Sequence, residues 1–163
     1  MRTGLFILLN FMVCLAYGQQ VRKQHFLAGP RGGFSGYTIT GQSGFYYDYN
    51  LSLDVEYSFL QNTSAGIRLG MDGSKSTVNR NSSFLIGPFV RQYLWKGLNV
   101  QASFAFRDKG RQQLGVGAGY GFEAGRRTIV QPELEYLHNF PKGAGDAAFR
   151  FGLSLRFILG KVE

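Results

Sequence analysis

Residues 45–60 read FYYDYNLSLDVEYSFL, and every odd position in the run is apolar or aromatic: Phe45, Tyr47, Tyr49, Leu51, Leu53, Val55, Tyr57 and Phe59. Asp48, Asn50, Ser52, Asp54, Glu56 and Ser58 alternate with them. Side chains switch faces at every residue of a strand but recur every 3.6 residues on a helix, so this run predicts a strand with one apolar and one polar face. It is also long. Soluble strands run to roughly five or six residues, whereas a tilted strand that crosses a bilayer needs about 9 to 11.

The alternation recurs along the chain. Ala65, Ile67, Leu69 and Met71 alternate with Gly66, Arg68 and Gly70 after the turn signal Gln61-Asn62-Thr63. Asp72–Ser83 reads as a polar loop, and Phe84–Trp95 as a strand whose two faces compete. Arg91 decides between them, because a charged side chain avoids lipid, which turns Phe84, Ile86, Pro88 and Val90 outward. Leu98, Val100, Ala102, Phe104 and Phe106 form the next outward set, then Leu114, Val116, Ala118, Tyr120, Phe122 and Ala124, then Val130, Leu134 and Tyr136. Phe149, Phe151, Leu153, Leu155 and Phe157 close the series. Gly33–Thr40 supplies a weaker first strand with Tyr37 and Ile39 outward, for a total of eight. Short turns alternate with longer loops, as in a membrane barrel, with the short first loop Gly41-Gln42-Ser43-Gly44 as the exception.

The sequence therefore predicts an all-β, eight-stranded antiparallel up-and-down transmembrane β-barrel. Its polar face carries Asp48, Asp54, Glu56, Glu123, Glu133 and Glu135 with Arg68, Arg91, Arg107, Arg150 and Arg156, while lysine is kept to loops, turns and termini. Buried charges need partners, and the planar guanidinium pairs with carboxylates through two bonds at once, so an arginine-only cationic set points to a lumen rather than a solvated face. The complementary face predicts a lipid-facing set: Tyr49, Leu51, Leu53, Val55, Tyr57, Ile67, Leu69, Val100, Phe104, Val116, Tyr120, Leu134, Tyr136, Phe151, Leu153, Leu155 and Phe157. Aromatic residues gather towards the two ends of the strands, as interfacial girdles do.

The chain has 163 residues, 23 of them Gly, and a formal charge of +8. Met1-Arg2, the apolar stretch Leu5–Ala16 and the small-x-small site Ala16-Tyr17-Gly18 read as a Sec signal peptide over residues 1–18, leaving residues 19–163 as one barrel domain. Cys14 is the single cysteine and falls within that signal, so neither disulfides nor thiolate metal sites are expected in the mature chain. His25 and His138 lack a partner at metal-ligand spacing. Gly115–Gly121 alternates glycine with larger residues inside a strand and leads to a turn, which argues against a nucleotide loop. No catalytic, cofactor or metal site is expected, and export argues against nucleic acid as a partner. Lys75, Arg80, Lys109, Arg111 and Lys142 are placed in loops where they could meet lipopolysaccharide phosphates.

The signal end Tyr17-Gly18-Gln19, the segment Phe84-Leu85-Ile86-Gly87-Pro88-Phe89-Val90-Arg91-Gln92-Tyr93 and the terminal FRFGLSLRF of residues 149–157 together resemble the small outer-membrane β-barrel domains of Bacteroidota, OmpA- and OmpX-like in architecture and loosely called porin-like. The resemblance implies a Gram-negative outer-membrane location and a monomer in contact with outer-membrane lipid and lipopolysaccharide. It also implies delivery by the barrel-insertion machinery and no enzyme activity. Such barrels usually end on an aromatic residue, whereas here Phe157 is followed by residues 158–163. Two alternatives are a soluble periplasmic lipocalin-like binding barrel and a lipid-modifying outer-membrane enzyme centred near His138.

Overall fold

A computed structural model of the chain describes residues 25–37, 46–75, 80–95, 97–140 and 147–159. The proposed signal peptide, Ile39 and the short loop at 41–44 lie outside the described residues. The chain forms β1 (Phe26–Tyr37), β2 (Tyr46–Leu60), β3 (Thr63–Lys75), β4 (Arg80–Tyr93), β5 (Leu98–Arg107), β6 (Gln112–Tyr120), β7 (Phe122–Gly125), β8 (Thr128–Phe140) and β9 (Ala147–Leu159). Each pairs antiparallel with its neighbours in the order β6-β5-β4-β3-β2-β1-β9-β8-β7, and a further β6–β8 pairing closes the ring. Since β7 continues β6 past Gly121, the closed barrel has eight staves. Closure removes free strand edges without disulfides.

Three turns at one end hold the hairpins. Asn62 sits at φ 70° between β2 and β3, and Gly97 at φ 91° between β4 and β5, the left-handed geometry that tight reversals of the chain use. Arg126-Arg127 makes the third, and β1 begins and β9 ends at this same turn end. At the opposite end β5 and β6 are joined through a 3₁₀ turn, Asp108–Gly110.

The first strand differs from the expectation. β1 starts at Phe26 instead of Gly33, its outward residues are the even-numbered Phe26 and Phe34, and the odd-numbered Leu27, Arg31 and Ser35 are buried. The phase expected from Tyr37 and Ile39 is thus reversed. Gly29, Gly32, Gly33, Gly36 and Pro30 had erased the alternation, and pairing with β2 along all 12 residues restores it. The expected loop at 72–83 is also shorter, because β3 runs to Lys75 and β4 begins at Arg80. Lysine thus reaches a strand, at the last residue of β3.

In β4 the alternation set by Arg91 holds: Phe84, Ile86 and Val90 are exposed, while Leu85, Phe89, Arg91 and Tyr93 are buried. The outer surface of the barrel is apolar, with Leu51 at 65% and Phe151 at 64% of full exposure. Aromatic pairs occur at both ends. Phe34–Tyr47 and Tyr136–Phe149 lie towards the loop end, with ring centroids 5.9 and 5.4 Å apart, and Phe26–Tyr57 and Tyr120–Phe122 lie towards the turn end, each at 4.7 Å.

Candidate functional site

The inward face of the strands builds a charged lumen. In the middle of the barrel β1 contributes Arg31, whose Nε donates to Glu133 at 2.8 Å and whose Nη2 donates to Glu135 at 2.7 Å. Arg68 on β3 holds Asp54 of the adjacent strand through two parallel bonds, Nε to Oδ1 at 2.8 Å and Nη2 to Oδ2 at 2.9 Å, and reaches Glu135 at 3.3 Å. Arg91 on β4 places Nη1 2.9 Å from both oxygens of Glu56 and Nη2 3.4 Å from Glu133. Towards the turn end, Arg156 donates to Glu56 at 2.7 Å and to the Tyr93 hydroxyl. Towards the loop end, Asp72 lies 2.8 Å from Arg107 and 3.4 Å from Arg150.

Neutral groups complete the carboxylate shells. Glu133 accepts from Gln101 at 3.1 Å, Gln131 at 2.7 Å and Ser154 at 2.9 Å, Glu135 from Ser103 at 3.1 Å, and Glu56 from Ser64 at 2.8 Å. The ring of Phe89 has the Arg68 and Arg91 guanidinium carbons 5.3 and 5.2 Å from its centroid, within cation–π range. Such pairs form because a carboxylate or guanidinium taken out of water loses several kcal/mol of hydration, which only close opposite charges and hydrogen bonds offset.

Of the residues expected in the lumen, Asp54, Glu56, Arg68, Arg91, Arg107, Glu133, Glu135, Arg150 and Arg156 all join these contacts. Asp48 lies on the inward phase of β2 near the rim and is half-buried. Glu123 is a correction: it is exposed, because pairing of β6 with β8 stops at Gly119 and the four residues of β7 are all exposed at the turn end. Two members were not anticipated. Arg31 fell before the expected start of the first strand, and Asp72 fell in the expected loop. With these changes, among the described residues, six arginines (31, 68, 91, 107, 150, 156) stand with six carboxylates (48, 54, 56, 72, 133, 135) on the inward face, and their charges cancel.

Glycines make room for this set. A Cβ on Gly115 would crowd Ser103 Oγ and the Glu135 carboxylate, and one on Gly66 would strike the Phe89 ring. Leu27, Leu85, Phe89 and Leu137, each at most 3% exposed, fill further inward positions. Residues expected to face lipid stand on the outward phase of their strands, with Val100 and Phe104 partly covered and the others exposed. His138 also lies on the outward phase of β8, its ring 4.6 Å from that of Phe140. Among the described residues no group of three or more His, Cys, Asp or Glu has the arrangement of a metal site.

No protein-family model and no curated protein matches this sequence. Among solved structures, one described as "De novo design of transmembrane beta-barrels" is similar in fold, with a TM-score of 0.53 and 11% identity over 86% of this chain and 100% of that chain. Another, the solution NMR structure of the designed protein TMB2.3, gives a TM-score of 0.48 at 11% identity over 86% of this chain and 99% of that chain. At such identity the likeness of the first is one of fold: a closed, eight-stranded, all-antiparallel barrel.

Proposed function

We infer that this chain is a non-enzymatic outer-membrane β-barrel, exported by the signal peptide of residues 1–18. It would serve the cell envelope as a structural element or a surface-interaction protein, with a lumen plugged by ion pairs. One observation carries the reading: the barrel is inside-out relative to a soluble protein. Arg31 and Arg91 are 0% exposed while Leu51, Phe149 and Phe151 are among the most exposed side chains. A continuous apolar exterior is costly in water and favourable in hydrocarbon, and closed antiparallel pairing satisfies the backbone there.

The soluble lipocalin-like alternative asks for an apolar interior beneath a polar surface, which is the opposite arrangement. Arg111, exposed at the loop end, suits contact with anionic headgroups, including lipopolysaccharide phosphates, and Arg126 and Arg127 are exposed at the turn end. Eight strands leave an interior just wide enough for side chains, so little or no solute passage is expected from a monomer.

Fractionation of cells expressing the full chain tests the location. The protein should sediment with outer-membrane markers, need detergent for extraction, and migrate faster on gels before boiling than after. Recovery in the soluble periplasmic fraction without detergent would overturn the reading.

A further inference from the structure

Phe26-Leu27-Ala28-Gly29-Pro30 in β1 is repeated, with one change, as Phe84-Leu85-Ile86-Gly87-Pro88 in β4. In both copies the phenylalanine faces out and the leucine is buried. Both also interrupt the ladder to one neighbour. Pairing of β1 with β9 runs to Ala28↔Phe157 and resumes at Arg31↔Ser154, and pairing of β4 with β5 runs to Ile86↔Phe106 and resumes at Phe89↔Ser103. The register is the same on either side of each gap. On their other flanks the same prolines are paired, Pro30 with Leu53 and Pro88 with Ile67.

Proline lacks the N–H that a ladder needs, so the carbonyl opposite loses its donor. By register those carbonyls belong to Leu155, opposite Pro30, and Phe104, opposite Pro88. Each leans over the glycine that precedes the proline: a Cβ on Gly29 would fall on the Leu155 carbonyl oxygen, and one on Gly87 on that of Phe104. Glycine is therefore required beside each proline. Pro132 marks a third gap, between Gly119↔Glu133 and Phe122↔Val130, but Gln131 and not a glycine precedes it. All three prolines stand four or five residues from the turn end of their strands.

The two Gly-Pro seams are opposite each other in the ring, dividing it into one half of β1 to β4 and another of β5, β6, β8 and β9. The ion pairs are distributed unevenly about that division. Those of Arg31 with Glu133 and Glu135, Arg68 with Glu135, Arg91 with Glu133, Asp72 with Arg107 and Arg150, and Glu56 with Arg156 all join one half to the other. Arg68–Asp54, Arg91–Asp54 and Arg91–Glu56 lie within the first half. Among the described residues the second half has no ion pair of its own.

We propose that the barrel wall parts along the β1–β9 and β4–β5 seams, as two four-strand sheets that the crossing lumen ion pairs hold closed. The backbone is weakest where Pro30 and Pro88 stand, and immediately inside Pro30 the Arg31–Glu133 pair ties the halves together. Opening at this level is sideways, towards the surroundings of the barrel, and leaves the plugged axis unchanged.

Amide hydrogen exchange on the full-length barrel folded in detergent micelles tests this. Amides of Ala28, Gly32, Ile86, Phe104 and Leu155, which point across the two seams, should exchange about tenfold faster than those of Leu51, Leu53, Leu69 and Met71, which point across the unbroken β2–β3 seam. Cross-strand disulfides from Ala28→Cys with Phe157→Cys, or from Ile86→Cys with Phe106→Cys, should slow seam exchange, and a Leu53→Cys with Leu69→Cys control should not. Pro30→Ala and Pro88→Ala, which restore the missing donor, should also protect their seams. Equal exchange at all seams, or equal slowing by the control disulfide, would overturn the proposal.

Discussion

Arg31 and Glu133 are 102 positions apart in the chain, on strands separated by β9, yet their side chains meet at 2.8 Å with neither exposed to solvent. The contact crosses the interior of the barrel instead of following the wall. It makes Arg31 the hub of the lumen, since the same guanidinium holds Glu135 and lies 3.3 Å from Asn50 Oδ1.

Loss of that hub should be costly. Arg31→Met removes the partner of two buried carboxylates and leaves the lumen with one uncompensated negative charge, so a destabilisation of about 3–5 kcal/mol is expected. Urea unfolding of the folded barrel in lipid vesicles measures it. Adding Glu135→Gln should restore charge balance and recover part of the loss, and a double variant no better than the single one would remove Arg31 from its central place.

Glycines on the inward and outward faces of the wall differ in what surrounds them: Gly115 faces the lumen and Gly32 faces out. Gly115→Ala drives a methyl group against Ser103 and Glu135, for an expected cost of about 1–3 kcal/mol. Gly32→Ala meets nothing within 4 Å and should stay within about 0.5 kcal/mol of the parent. Similar unfolding midpoints for the two would mean that the interior is loosely packed.

A charge on the outer face discriminates lipid from water. Leu53→Arg near the middle of β2 should cost about 2–4 kcal/mol in a bilayer, while Glu123→Arg on the exposed β7 should change stability by less than about 0.5 kcal/mol. If both are neutral in vesicles, the apolar belt does not face hydrocarbon.

Planar-bilayer recordings address the plug. The ion pairs and the inward Phe89, Leu85 and Leu137 leave the axis filled, so single-channel conductance should be very small or absent. Stable large steps from purified monomer would contradict a plugged lumen.

Much of this was legible in the sequence because a period of 2 reports the face as well as the strand. Residues 45–60 gave Asp54 and Glu56 their inward direction, and Arg91 was enough to orient β4 against competing apolar residues. Arg31 was missed because five glycines and prolines around it carry no hydropathy signal. What places it inside is its pairing with Ser52 of β2, a long-range fact. Asp72 was missed for a different reason: polar residues at the outer ends of long strands look like loop until the neighbouring strand extends with them. Glu123 was misplaced because alternation continues past Gly121 while the barrel wall there no longer encloses a lumen. Partner choice across the lumen, such as Arg156 with Glu56 and not Glu133, depends on strand tilt and stagger, which alternation does not encode.

Single cysteines labelled with an environment-sensitive fluorophore, in vesicles containing brominated lipid, test the central claim most directly. The chain without residues 1–18 contains no cysteine of its own. Labels at the outward Leu53, Ile67 and Val116 should be strongly quenched by bromine on the acyl chains, and a label at the exposed turn residue Arg126 should not. Absence of quenching at the outward positions, in protein that stays folded and soluble without lipid or detergent, would contradict the membrane barrel.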